Sequence, residues 1–300
     1  GNIDYFLSEN YKLAFGLRWE NWDSKYNDSN QESFNPSDNM NGGKISLIKN
    51  NDNSNIYFSI ARGYKQGGFN LGLDATDNSI KDSLIYEPEF LTNYEMGLSS
   101  NSNNPILNYS AVFFFSERED QHVLISRQVD PTDPNTFSYL TQNAAEGENY
   151  GLEISSNYFV RDNLDLYANF GLLKTKIKNW ESRSDLKNRA QAHAPERNFS
   201  LGANLSFMNN FYLKMDINGK SSFFYSDSHN NKSKSYQLVN ITLGYKKSNL
   251  STDIWIRNLF DEYYSTRGFF FGNEAPNFVD TLYKRQGDPK NIGISVRYDF

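Results

Sequence analysis

The sequence predicts an all-β protein, an antiparallel up-and-down transmembrane β-barrel with about twelve strands. Three observations carry that prediction. Apolar residues recur with period two over long stretches, leaving one apolar and one polar face. The alternating segments are long, many of about ten residues or more against a mode of ~5–6 in soluble proteins, and they match the ~9–11 residues a tilted strand needs to cross a bilayer. The connections alternate short and long, as they do in outer-membrane barrels with tight periplasmic turns and long external loops.

Composition agrees. Hydrophobic residues make up 38% of the 300 residues, yet aromatics reach 16%, with 20 Tyr and 23 Phe. Mean hydropathy is -0.71. Disordered chains lack aromatic and β-branched residues, so the apolar side chains must be used sparingly, as in a sheet with a single apolar face. There are no cysteines, which removes disulfides, thiolate metal sites and Cys nucleophiles. The net charge of -6 is spread along the chain without a basic block, which argues against nucleic acid as a partner. No apolar run of ~18 residues exists for a transmembrane helix. The opening GNIDYFLSEN lacks the basic start and apolar core of a signal peptide. That leaves a chain that is not exported, or one whose true N-terminus is missing.

Strands are predicted near residues 11–26, 40–49, 55–69, 89–100, 105–118, 147–159, 163–177, 195–208, 211–226, 235–247, 250–262 and 289–300, with 2–7 the tail of another. RNFSLGANLSF sets Phe199, Leu201, Ala203, Leu205 and Phe207 on one face; FYLKMDINGK sets Phe211, Leu213, Met215 and Ile217 there. The opposite faces carry Glu153, Asn157, Asp165, Asn169, Lys214, Asp216 and Lys220. Long connections are expected at 27–39, 70–88, 119–146, 178–194, 227–234 and 263–288. Aromatics near strand ends, Tyr5, Phe6, Tyr57, Phe58, Tyr158, Phe159, Phe207, Phe211, Tyr245, Tyr298 and Phe300, are expected to form the periplasmic girdle. The chain closes on NIGISVRYDF, whose stripe Ile292, Ile294, Val296, Tyr298 and Phe300 is expected to face lipid. Phe300, with Tyr298, resembles the terminal aromatic signal recognised by the outer-membrane assembly machinery.

Several motifs resemble those of TonB-dependent outer-membrane receptors. IYFSIARGYKQGGFN ends in the family's Gly63-Tyr64-Lys65-x-Gly67-Gly68-Phe69-Asn70 pattern. YEPEFLTNYEMGLSS, GENYGLEI and HAPERNFSLGA are similar to its following strands. WIRNLFDEYYSTRGF carries Asn258-Leu259-Phe260-Asp261, and GDPKNIGISVRYDF resembles the family terminus with Lys290 in place of the usual Arg. The resemblance implies a barrel of about 22 strands, filled by an N-terminal plug whose TonB box couples import to an inner-membrane complex. The present chain, 1–300, matches only the C-terminal portion of such a barrel, with plug and TonB box absent. An open sheet would leave two costly edges in lipid; closure into a smaller barrel is the other possibility.

No enzyme is expected. Gly63, Gly67 and Gly68 are followed by no helix, so they are no phosphate loop, and no Ser/His/Asp set stands together. His122, His193 and His229 lie far apart without zinc spacing. Asp74, Asp77 and Asp82, and Glu117, Glu119 and Asp120, lack the order of a calcium loop. No cofactor or metal is therefore expected. Candidate ligand contacts lie in two long connections: Arg267, Phe269, Phe270 and Phe271 in one, and Trp180, Arg183 and Arg189 in the other. Against them stands the plainer expectation that these loops pack on their neighbours. The function implied is TonB-dependent uptake, in the outer membrane, of a scarce bulky nutrient such as an iron–siderophore, cobalamin or glycan. The expected partners are outer-membrane lipid and lipopolysaccharide, the assembly machinery, TonB through the missing plug, and the nutrient. A binding or adhesion barrel and a passive porin-like channel are the alternatives, with a soluble β-protein a distant fourth.

Overall fold

The structure is a computed structural model; it describes residues 1–27, 33–70, 84–100, 106–128, 137–227, 229–272, 274–279 and 281–300. Among them, thirteen strands form one antiparallel sheet in chain order. They are β1 (Asn2–Phe6), β2 (Tyr11–Asp23), β5 (Ser37–Asn50), β6 (Ser54–Lys65), β9 (Glu89–Ser100), β10 (Leu107–Gln128), β11 (Phe137–Arg161), β12 (Leu164–Asn179), β13 (Arg197–Phe207), β14 (Phe211–Lys220), β15 (Tyr236–Lys247), β16 (Leu250–Arg257) and β19 (Asn291–Tyr298). Three small hairpins stand in the long connections: β3 (Tyr26–Asn27) with β4 (Ser33–Phe34), β7 (Gly68–Phe69) with β8 (Ile85–Tyr86), and β17 (Ser265–Phe271) with β18 (Thr281–Gln286). Among the described residues, a 3-10 stretch kinked at Arg183 spans Glu181–Leu186.

Register turns the alternation of single strands into continuous rows. Leu164, Leu205, Leu213, Leu243, Ile254 and Ile294 are successive cross-strand partners. At the other side of the sheet, Ile3, Phe15, Ile45, Ile60, Tyr94, Phe115 and Tyr150 do the same. No second sheet covers this face among the described residues: Ile254 is 49% and Ile294 68% exposed. A soluble sandwich buries such a face against a partner sheet. Among the described residues, the buried hydrophobic side chains, Met40, Leu84, Leu140, Ile177, Trp180, Leu186, Phe223 and Tyr225, all lie at the end of the long connections. The structure has its packed core outside the apolar band and its apolar surface on the outside of the wall, which is the inverse of a soluble domain.

The opposite face is polar, and its order depends on aromatic rings laid over glycines. Tyr57 stands opposite Gly97, Tyr167 opposite Gly202, Tyr212 opposite Gly244 and Trp255 opposite Gly293. A Cβ at any of these glycines would collide with the facing ring. Each ring thus fills the space its partner leaves, the arrangement by which aromatics rescue glycines in sheets. The hydroxyls of Tyr57 and Tyr212 then donate to Glu95 and Asp253. Tyr57 consequently faces inward and is not a girdle residue, a correction to the sequence reading. Phe207, Phe211 and Tyr245 do form an aromatic row at the short-turn end, with centroids 5.9 Å and 5.0 Å apart. Tyr298 and Phe300 meet edge to face at the same end, 5.2 Å apart.

The strand positions follow the sequence closely, with one large difference. β10 and β11 run for 22 and 25 residues, so most of the predicted 119–146 connection is hairpin. Only ~9–11 residues are needed to span the membrane, and the pair breaks register between Arg118 and Gln121, where Asp120 takes a φ of 53°. Above that bulge the hairpin projects beyond the apolar band.

The rings over Gly202 and Gly244 make a test. Gly202→Val and Gly244→Val are expected to destabilise the wall by about 2 kcal/mol each through overpacking, measured by urea unfolding in lipid vesicles. Gly63→Ala, where an added Cβ meets nothing within 4 Å, is expected to leave the midpoint unchanged.

Candidate functional site

The lumenal wall is a connected polar surface. Asp216 accepts from Asn218 Nδ2 at 2.6 Å and from Asn240 Nδ2 at 2.7 Å. Asn204 Nδ2 reaches Asp165 at 2.7 Å, and Asn93 Nδ2 reaches Glu95 at 3.1 Å. Asn240 Oδ1 in turn accepts the Asn258 backbone N–H at 3.0 Å, which carries the network to the rim.

At that rim the family-like motifs have structural work. Asn258 is buried and holds a left-handed φ of 48°. Its Nδ2 donates to the carbonyls of Glu262 (3.0 Å) and Asp288 (3.1 Å), while its Oδ1 accepts the Glu262 N–H at 2.8 Å. Leu259 N–H bonds the Val239 carbonyl at 2.8 Å, and Asp261 accepts the Lys290 N–H at 2.7 Å. Phe260 is 76% exposed. Asn258-Leu259-Phe260-Asp261 is therefore the clasp that turns the chain out of β16 and ties it to the start of β19.

The Gly63–Asn70 motif does the equivalent at the same rim, where β6 runs out into its long connection. Gly67 and Gly68 let the backbone pass against Tyr86. Phe69 packs between Tyr26 (5.5 Å) and Trp22 (6.2 Å). Asn70 exchanges two 2.7 Å hydrogen bonds with the Thr141 backbone, mimicking a strand on the edge of β11. Tyr64 donates to Glu20 at 3.0 Å with the Arg18 guanidinium 5.5 Å from its ring. Lys65 pairs with Glu89 in register. Beside it, burial pushes the Glu87 carboxyl upward and the neighbouring Asp38 charge adds to the effect; burial raises Asp38 as well.

The candidate ligand residues fall into two places. Trp180 is buried with Ile177 and Leu186, so it is a packing residue of its loop. Arg183 forks onto Asp185 at 2.9 Å through both Nε and Nη2, and this holds that carboxyl below its ordinary range. Arg189, almost buried, donates to the carbonyls of Ser226 and His229 and to Asp227 and Asn230 at 2.7–3.0 Å, with Phe224 stacked 4.4 Å from its guanidinium. It rivets the β12–β13 connection to the β14–β15 connection. His193 packs on Phe223 and His229 on Phe270, while His122 lies edge-on to Tyr86. Arg267, Phe269 and Phe271 all lie on β17, in the hairpin with β18. Glu117 and Glu119 are strand residues paired with Lys178 (3.3 Å) and Arg62 (3.5 Å). Asp74, Asp77 and Asp82 lie outside the described residues. No cluster of metal-ligating side chains occurs among the described residues. The Arg189 rivet and the Asn258 clasp depend on partners far apart in sequence.

The clasp gives a quantitative expectation. Asn258→Ala removes three side-chain hydrogen bonds and leaves buried carbonyl and N–H groups unpaired, a loss of about 3 kcal/mol. Asn258→Asp, which keeps the accepting oxygen but sets a carboxylate oxygen against the two carbonyls in a buried site, is expected to lose at least as much. Unfolding midpoints in vesicles measure both.

Comparison with known proteins agrees with this architecture. Solved structures of similar fold include the ferric yersiniabactin uptake receptor FyuA from Yersinia pestis (TM-score 0.78, 16% identity, 100% of this chain and 44% of that one). The copper transporter OprC (0.75, 15%, 100% and 48%) and the siderophore receptor PiuA from Acinetobacter baumannii (0.74, 17%, 98% and 42%) are similar to the same extent. The chain thus spans under half the length of each, and at these identities the likeness establishes the fold. Residues 1–259 match the family described as TonB dependent receptor-like, beta-barrel, and the chain belongs to that family.

Proposed function

We propose that this chain is the C-terminal portion of the barrel of an outer-membrane receptor, and that the receptor imports a scarce bulky nutrient at the expense of energy delivered through TonB. The observation that carries this reading is the wall itself. Among the described residues it has an apolar face that no second sheet covers, a networked polar face, and its long connections gathered at one end. A polar lumen bounded by such a wall gives a hydrophilic cargo a route through lipid. The free edges, β1 and β19, are completed by further strands of the same barrel, because unpaired edges are not tolerated in hydrocarbon. A plug and TonB box belonging to the same receptor supply the coupling. Outer-membrane lipid and lipopolysaccharide surround the apolar face, and Tyr298 and Phe300 serve as the assembly signal. The cargo classes of the similar receptors, ferric chelates and copper, support a chelated metal as cargo.

Growth assays test this. The complete gene product is expressed in a Gram-negative host lacking its own receptors, and growth on a panel of ferric siderophores is scored with and without TonB. Growth that requires both the protein and TonB is expected. Uptake indifferent to TonB would mean a passive channel, and ligand retained on the surface without uptake would mean a binding barrel.

A further inference from the structure

Hairpin β17–β18 rises beyond the last pair of the wall, Arg257 with Asn291, and its two faces are unlike. One face carries Gly268, Phe270, Leu282 and Lys284. Gly268 lies under the Tyr225 ring, and Phe270 meets His229 edge-on at 5.0 Å. This face is seated on the β14–β15 connection. The other face sets Arg267 opposite Arg285 and Phe269 opposite Tyr283. The two rings stack at 6.0 Å and 26°. Both arginines are exposed, and Phe269 is 50% exposed.

Like charges placed directly opposite each other on a two-stranded ribbon are destabilising. Nothing in the described surroundings relieves this pair. None of the ion pairs among the described residues involves either guanidinium, and Glu274 is occupied at the shelf, where it accepts the Tyr283 hydroxyl at 2.9 Å. A register shift between Ser265 and Arg267 stands immediately before the first arginine, and such bulges re-aim side chains beside functional sites. The guanidinium is a planar fork of donors suited to planar oxyanions, and it competes well for them in water.

We infer that Arg267 and Arg285 form an anion clamp beside an aromatic shelf, and that the ligand engaged there is a soluble small molecule carrying a carboxylate-like oxyanion next to a planar ring. The oxyanion bridges the two guanidinium groups and relieves their repulsion. The ring extends the Phe269–Tyr283 stack. The source is taken to be a ring-bearing solute and not a lipid phosphate, because the aromatic shelf of Phe269 and Tyr283 stands beside the clamp; a lipid phosphate would sit at the same height, and the vesicle arm of the test separates the two. The inference deepens the import reading and rests on it only for the fate of the ligand after capture.

The test uses detergent-purified protein and three probes: phthalate, cyclohexane-1,2-dicarboxylate with the charges but no planar ring, and dimethyl phthalate with the ring but no charge. Calorimetry is expected to show phthalate binding, weaker binding of the cyclohexane compound, and none of the diester. R267Q and R285Q are each expected to weaken phthalate at least tenfold, and F269L several-fold. All three are exposed side chains, and an unchanged heat-modifiable gel mobility checks that the wall is intact. Slower hydrogen exchange across 265–271 in R285Q would report relief of the like-charge pair. Phthalate binding unchanged in the R267Q/R285Q double variant would overturn the clamp. So would binding to lipopolysaccharide vesicles with none to phthalate. The two readings fail separately: phthalate binding without energised uptake leaves the clamp standing and removes import, whereas TonB-dependent growth without phthalate binding does the reverse.

Discussion

A backbone N–H or C=O in the hydrocarbon layer has no water to bond, and leaving one unpaired costs several kcal/mol. The ladder of interstrand hydrogen bonds must therefore run without interruption around the wall. Everything else in the structure is arranged so that it does. Strands stay in chain order with antiparallel neighbours throughout the thirteen-stranded sheet, and the register places an apolar side chain on the same side at every step of the rows. Proline enters none of these strands, in keeping with its inability to donate to a ladder. Where the register of these ladders shifts, it does so toward the strand ends: from Arg118 to His122 and at Glu146–Gly147 on the long-connection side, and at Phe159–Arg161 beside the short turn.

The second face then answers a different demand. Carboxylates and amides turned into a polar lumen need fixed partners if the wall is to keep one shape. Tyrosines laid over glycines supply both packing and a hydroxyl for a carboxylate, as with Tyr57 over Gly97 beside Glu95 and Tyr212 over Gly244 beside Asp253. The chain Asn218–Asp216–Asn240–Asn258 links this wall to the clasp that launches the final hairpin. Rigidity at the rim comes from Arg189 and from the small core around Trp180. The outer hairpin β17–β18 is thus held at its base and at one face, and presents the other to the medium.

Strand positions in the wall were legible because period-two alternation survives wherever one face meets lipid. The upper part of β10–β11 was not legible for the same reason. Outside the membrane both faces can be polar, the stripe disappears, and Gln121–His122 reads as loop although it pairs with Asn143 and Ala145. Tyr57 was misassigned to the girdle because aromatics near a strand end look alike until register shows which face each occupies. Gly67, Gly68 and Asn258 stood out as motif letters, but their work against Tyr86, Glu262 and Asp288 depends on chain segments that sequence spacing does not join. Arg267 and Phe269 were legible as candidates. Their partners Arg285 and Tyr283 were not, since the pairing appears only when the hairpin closes.

The central claim is that one face of every wall strand meets lipid and the other a watery lumen. The chain has no native cysteine, so single cysteines carrying a nitroxide can be placed along β14 and β15 and probed with oxygen and with a nickel chelate. The account predicts strict alternation: positions 213, 215, 217, 239, 241 and 243 accessible to oxygen from lipid, and 214, 216, 218, 240 and 242 accessible to the chelate from water. Uniform accessibility to the chelate on both faces, or burial of the odd positions away from both reagents, would contradict it.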